Sequence, residues 1–397
     1  MGVRENRPGR RDADFQTGNV TLISLAHLSH DVYSAFLAPL LPLLIAKLGL
    51  SLSAVGLLDV ARKVPQLSNP LIGLLADRVC VKWFVILAPA VTATAMSLLG
   101  VAPSFSVLFI LLLISGFSAA AFHVPGPVLI KHHSGARTGR GMSFYMFGGE
   151  LARTLGPLLI TAAVSWWGLE GSWRVLPVGL LISVLLFSRL RGLAPVPRGR
   201  IRQTAQSTGP TWRGVGRVFS GLAGFLLFRT AFKSALTLFL PTYLTGEGHS
   251  LWGAGIALSI VQFSGAIGTL GAGWVADRLG HRRVLLVITL LTPLAAMGLT
   301  FLEGALTLPL LVLSGVLIFA SSPILLAVVQ DLGSSRPAFL NSLYMTLSIV
   351  ISGLGALLVG SLGDRLGLAE TFRLTALLSA VAIPFVLLIP GRSPDSP

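Results

Sequence analysis

Apolar stretches of about 18 residues or more recur from one end of this chain to the other, and no other feature constrains its fold as tightly. At 1.5 Å of rise per residue, a helical stretch of that length crosses about 30 Å of hydrocarbon. Only 11% of the 397 residues are charged. A water-facing surface takes about 25%, so an ordinary soluble domain is excluded. Twelve spans are predicted, at roughly 20–46, 53–76, 82–101, 105–130, 141–165, 173–190, 217–243, 251–275, 284–302, 307–330, 339–362 and 370–389. The 44 glycines and 23 prolines suit membrane helices that pack closely and kink.

The formal net charge of +15 would point to nucleic acid in a soluble protein. Here the basic residues sit in loops and one linker, so positive-inside bias is the better account and no nucleic-acid partner is expected. One side collects the N-terminal arginines, then Lys82, Lys131, Arg137 and Arg140, the arginines of 189–217, then Arg282, Arg283, Arg336 and Arg392. The other side carries only Lys47, Arg174, Arg365 and Arg373. That asymmetry predicts a multi-pass protein of the plasma (inner) membrane with both termini cytoplasmic. Residues 1–19 lack the apolar core of a signal peptide and read as a cytoplasmic tail. Gly2 makes no myristoylation motif, because Asn6 stands where Ser or Thr is needed. A six-helix bundle at 20–190, a basic linker at 191–216, a second bundle at 217–390 and a tail at 391–397 complete the expected organisation. The single cysteine, Cys80, excludes an intramolecular disulfide and a cysteine-cluster metal site, and no metal is expected.

The two halves repeat. Residues 71–83 read LIGLLADRVCVKW and residues 271–283 read GAGWVADRLGHRR, each with Gly-x-x-x-Asp-Arg after an apolar run. Residues 142–159 (MSFYMFGGELARTLGPLL) and 341–358 (NSLYMTLSIVISGLGALL) match at Ser143, Tyr145, Met146, Leu155, Gly156, Leu158 and Leu159, each repeated 199 positions later. Two related six-helix halves follow from both pairs.

Twelve spans, a central basic linker and the paired Gly-x-x-x-Asp-Arg loops together resemble the major facilitator superfamily over essentially the whole chain. The fold this implies is all-α and integral to the membrane, with two pseudo-symmetric six-helix bundles. Within that superfamily AHLSHDVYSAFLAPLLPLL, AFHVPGP at 121–127 and GMSFYMFGGELARTLGP at 141–157 resemble fosmidomycin-resistance-type exporters. The resemblance implies a gating role for Gly73, Asp77, Arg78, Gly273, Asp277 and Arg278, which would brace the cytoplasmic side; the plainer alternative is a helix stop with solvated charges. The first copy departs from the family pattern, with Cys80 in place of Gly and a single Lys82 in place of two basic residues.

Ionisable residues inside spans are expensive unless they are paired or face water, so they default to function. Ser24, His27, Asp31, Ser34 and Ala38 form one stripe on the first span. Asp31 and His27, one turn apart, can share a proton and are assigned to proton coupling, with Glu150 second. His30 lies off the stripe and is expected only to hydrogen-bond neighbouring helices. Asp59 can pair with Lys63, and one of Arg62 and Lys63 is expected to face a cavity. Glu150 and Arg153 sit three apart, as a structural ion pair or as functional groups. The repeat puts Ile349 and Ser352 at the equivalent positions, so the scaffold does not require the charges. His123 is open between substrate contact and a bond to a broken-helix carbonyl near Pro125. Gln262 and Asn341 are candidate wall residues, more often helix–helix contacts.

Asp31, Asp59 and Glu150 face Arg62, Lys63, Arg153, Arg229 and Lys233, leaving two positive charges in excess within the membrane. Uncompensated buried charge is costly, so an anionic or zwitterionic small-molecule substrate is expected to supply the balance. Arg229, Lys233, Arg62, Lys63, Arg153 and His123 are the candidate substrate-binding set, with arginine suited to phosphonate, phosphate or carboxylate. No phosphate-binding loop, zincin or nucleophile-elbow motif is present, so neither ATP-driven transport nor an enzyme is read here, and no cofactor beyond a proton gradient. The expectation is a monomeric, proton-coupled drug or organic-anion exporter working by alternating access. Two readings stay open beside it: uptake by the same fold, and a non-transporting receptor or sensor.

Overall fold

A computed structural model describes residues 15–76, 82–192, 212–301, 304–332 and 337–390, and among them every regular element is helical. Ten spans are long and apolar enough to cross a membrane: Thr17–Leu48, Lys82–Val101, Phe105–Ser134, Glu170–Leu190, Gly214–Gly246, Leu251–Leu279, His281–Phe301, Thr307–Gln330, Phe339–Leu366 and Leu368–Val386. Two further helical rods, at 52–76 and Thr138–Trp167, occupy the second and fifth positions and carry Asp59, Arg62, Lys63, Glu150 and Arg153. Among the described residues these ten spans and two rods are consistent with the twelve predicted spans. Of the expected linker, 193–211 lie outside the described residues, and its last part, from Trp212, is already helix of the seventh rod.

The first, second, fourth and seventh rods are broken within their length, the second and fourth at prolines. The first divides into Thr17–Ser34 and Leu37–Leu48. The second, predicted as one run, passes through a tight 3₁₀ segment at Val64–Ser68, because Pro65 cannot supply a helical N–H and Pro70 follows. The fourth stops at His123 and restarts at Gly126, across Pro125 and Pro127. The seventh changes to a π-helical turn at Ala235–Phe239, just after Lys233. Such breaks survive in a membrane only where the freed backbone groups face protein or a water-filled cavity.

The two ends of the molecule differ. At the end carrying the 49–51, 247–250 and Gly367 connections, one apolar core draws on both halves. It packs Phe36, Leu40, Leu44 and Leu58 of the first half with Phe232, Phe239, Leu258 and Val359 of the second. At the other end each half keeps its own core, one around Ile23, Ile86 and Phe122, the other around Phe225, Leu285 and Val328. Backbones touch at the joined end: a Cβ on Gly56 would stand 2.7 Å from the Ala356 carbonyl oxygen, and one on Gly360 would collide with that of Leu52. Asp364 of the eleventh span completes the join. Its carboxylate accepts from the backbone N–H groups of Leu52 (2.7 Å) and Ser53 (2.9 Å) and from the Ser53 hydroxyl (2.5 Å). An acid is thereby placed on the unpaired donors and positive dipole at the start of the second span.

Candidate functional site

Between the halves, above the joined end, lies a cavity of about 450 Å³. Asp31, Asp59, Arg62, Lys63, His123, Arg153 and Lys233 all line it, brought together by five different spans. Each of the four broken rods supplies residues from beside its break: Ser34 and Ala35 from the first, Arg62 and Lys63 from the second, His123 from the fourth and Lys233 from the seventh.

Asp31 lies in the last turn of the first helical segment of its span, Thr17–Ser34, and three imidazole nitrogens surround its carboxylate. His30 Nδ1 is 2.9 Å away, His123 Nε2 3.2 Å and His27 Nε2 3.3 Å. The fifth span approaches closely enough to fix His27, since a Cβ on Gly149 would stand 2.6 Å from the ring. His27 Nδ1 lies 2.7 Å from the Tyr145 carbonyl oxygen, which can only accept, so the ring proton is on Nδ1. His30 is fixed by a relay. Ser118 donates to the Ala88 carbonyl (2.9 Å), Thr92 donates to Ser118 (2.7 Å), and the Thr92 oxygen is left to accept from His30 Nε2 (2.9 Å). Both rings, when neutral, therefore turn a lone pair towards Asp31. One proton beyond the neutral rings and the carboxylate makes one of these contacts a hydrogen bond, and two protons make both. The donor atoms of His27, Asp31 and His123 lie within 4.8 Å of one another, close enough for a proton to pass among them.

Asp59, only 2% exposed, holds both Arg62 (2.9 Å) and Lys63, so the cavity is faced by both cations rather than one. Lys63 also donates across the halves to the Ser352 hydroxyl at 2.7 Å. Glu150 and Arg153 form an ion pair in which Arg153 lines the cavity and Glu150 stands behind it. His27 likewise stands behind Asp31. Lys233 lies 5.0 Å from the centre of the Phe319 ring, and Gln262 is in the wall. Arg229 is not part of this wall: it is buried in a separate recess of the second half, with Nη2 on the Leu317 carbonyl.

Of the loop motifs, Gly73 ends up in the helix Asn69–Ala76, while Asp77 and Arg78 lie outside the described residues. Gly273, Asp277 and Arg278 fall in the last turns of the eighth span, with the Arg278 guanidinium 3.3 Å from the centre of the Trp274 ring. The sequence reading missed three participants. His30, expected only to hydrogen-bond neighbouring helices, does bond Thr92 of the third span but also abuts Asp31. Ser352 gave no local signal. Asp364 did give one: Gly360, Asp364 and Arg365 form a third Gly-x-x-x-Asp-Arg, at the opposite end of the molecule from Asp277 and Arg278.

The sequence model of the Major Facilitator Superfamily matches residues 23–348. The chain is 24% identical over 389 residues to the fosmidomycin resistance protein of Escherichia coli (strain K12), covering 95% of this chain and 94% of that protein. It is 27% identical over 378 residues to the MFS-type transporter YfnC of Bacillus subtilis (strain 168), covering 92% and 91%. Among solved structures, a bacterial homolog to the human lysosomal transporter Spinster, in an inward-facing and occupied conformation, superposes with a TM-score of 0.80 at 16% identity over 96% of this chain and 97% of that one. The nucleoside transporter NupG gives 0.70 at 16% identity, over 94% and 100%.

Proposed function

This chain belongs to the Major Facilitator Superfamily, and from that premise we propose that it exports a small anionic or zwitterionic organic molecule in exchange for protons. The observation that carries the proposal is the pairing, in one cavity, of a proton-accepting cluster with an excess of cations. Asp31 with His27, His30 and His123 takes up or releases protons; Arg62, Lys63, Arg153 and Lys233 attract the cargo. Phosphonates are the first class to test, because the likeness to the fosmidomycin resistance protein covers nearly the whole of both chains. Glu150 pairs with Arg153 and offsets its charge, and Gly273, Asp277 and Arg278, with Gly73, Asp77 and Arg78, serve the gate at the open end.

The arginine-rich loops support a cytoplasmic position for that open end and for both termini, in the inner membrane. The conformation described is then inward-facing, its outer end sealed by the shared apolar core and Asp364. Alternating access would open this seal and bring the two separate cores together.

The test is uptake into everted membrane vesicles with and without an imposed pH gradient, using a panel of phosphonates, carboxylates and cationic dyes. Gradient-dependent accumulation of the anionic members, lost in Asp31→Asn, is the expected result. Accumulation only in right-side-out vesicles would make the chain an importer, and indifference to Asp31→Asn would remove proton coupling at this site.

A further inference from the structure

Beside the main cavity the second half encloses a recess of about 60 Å³, walled by Arg229, Lys233, Ser321, Tyr344 and Ser348 and meeting the cavity at Lys233 and Ser352. Arg229 is 4% exposed. One edge of its guanidinium is used: Nη2 donates to the Leu317 carbonyl, and the group lies 5.3 Å from the centre of the Phe225 ring. The other edge is not, for Nη1 is buried without any hydrogen-bond partner. Among the described residues no carboxylate lies within ion-pair distance of Arg229 or Lys233. A guanidinium removed from water with an unmet donor and no counter-charge is one of the costliest arrangements a protein interior can hold. The rest of the wall consists largely of hydroxyl groups, which can donate to an anion as readily as they accept from a cation.

We propose that this recess is a second anion subsite, which takes one small oxyanion group of the phosphate, phosphonate or sulfate type. Arg229 Nη1 and Lys233 Nζ supply the charge, and the Ser348 and Tyr344 hydroxyls fill the remaining oxygen positions. A recess of this size admits a few waters or one such group but no whole drug-sized molecule. The group is either the anionic head of the cargo, whose body then lies in the main cavity past Lys233, or a free inorganic ion bound beside it. The first alternative rests on the anionic-cargo reading above; the second does not.

The experiment uses the full chain purified in detergent, titrated with inorganic phosphate and with methylphosphonate by calorimetry and thermal unfolding. Saturable binding at one ion per chain is expected, weakened at least tenfold by Arg229→Gln. Arg229 also holds the Leu317 carbonyl, so Tyr344→Phe and Ser348→Ala test the opposite wall without touching that contact, and each should weaken binding several-fold. Lys47→Gln, at the joined end, should leave it unchanged. Absence of saturable binding to the unmutated chain overturns the subsite, as does binding indifferent to Arg229→Gln, Tyr344→Phe and Ser348→Ala. In proteoliposomes, phosphate that competes with a carried phosphonate identifies the cargo's head group. Phosphate that binds through Arg229 without competing identifies a free ion. If the carried molecules prove neutral or cationic while phosphate still binds through Arg229, the anionic-cargo reading falls and the subsite stands.

Discussion

The two walls of the cavity are built on one repeated scaffold and carry opposite chemistry. The first half supplies the three acids at or just behind the cavity wall, and each has partners: Asp31 with three histidines, Asp59 with Arg62 and Lys63, Glu150 with Arg153. The second half supplies Arg229 and Lys233, which have no acid of their own. Two hundred residues on from Asp31 and Asp59 stand Ala231 and Ser259, and opposite Glu150 stands Ile349. Duplication therefore explains the helices but not the charges. Paired, reversible acids suit proton exchange; unpaired cations in a low dielectric suit attraction of a negative cargo. On the proposed reading the first half holds the proton-exchanging acids, and the second adds to Arg62, Lys63 and Arg153 the cations that no acid of its own offsets.

Asp31→Asn should break the first assignment most severely. An asparagine keeps the shape but cannot exchange a proton with His27, His30 or His123. Transport driven by a pH gradient should fall by about 100-fold or more, as expected for loss of a proton-transfer group. Exchange of labelled for unlabelled cargo, which needs no net proton movement, should survive. Equal loss in both assays would mean that Asp31 binds cargo and that the two walls do not divide the labour. Lys233→Gln tests the other wall. A charge-assisted hydrogen bond is worth about 1.5–3 kcal/mol, so the apparent KM for an anionic substrate should rise by about tenfold or more, with the pH dependence of transport unmoved. A similar rise for a neutral substrate would point to a packing role.

How far this arrangement was legible in the sequence follows the range of the interactions. The rods were readable because apolar length is local, and Asp31 with His27 was readable because residues one turn apart on a helix must meet. The bond of His30 to a neighbouring helix was legible and is made by Thr92 at Nε2, but its contact with Asp31 through Nδ1 was not, because a helical stripe takes no account of adjacent residues. Whether Arg229 enters the main cavity depends on the Leu317 carbonyl and Phe225, contacts that no spacing rule contains. That both Arg62 and Lys63 reach the cavity depends on the 3₁₀ segment beginning at Val64 and on Ser352 in the other half.

The two ends offer a smaller test of the same asymmetry. Asp364→Ala removes three hydrogen bonds that tie the halves together. Loss of a helix-capping acceptor costs about 1 kcal/mol, which shifts a two-state balance by about fivefold. A nitroxide pair at Trp173 and His249, on the joined end of either half, should report a larger long-distance population by electron–electron resonance. An unchanged distance distribution would leave the apolar core as the whole of the seal.

Glu150→Gln should have the smallest effect and the most informative sign. With Glu150 acting only to occupy Arg153, its neutralisation frees a guanidinium that already lines the cavity, and the cavity gains one positive charge. Apparent affinity for an anionic substrate should then improve by about two- to threefold, a few tenths of a kcal/mol, as befits a partly solvated ion pair. Proton-driven accumulation should persist, because the Asp31 cluster is untouched. If Glu150 is instead a second proton carrier, the same substitution lowers the number of protons exchanged per cargo molecule, and the reversal potential of transport measures that number. A gain in anion affinity with unchanged stoichiometry confines proton exchange to Asp31 and its histidines. A loss of stoichiometry extends it across the first half to the fifth span, with the second half still free of acids at the cavity wall.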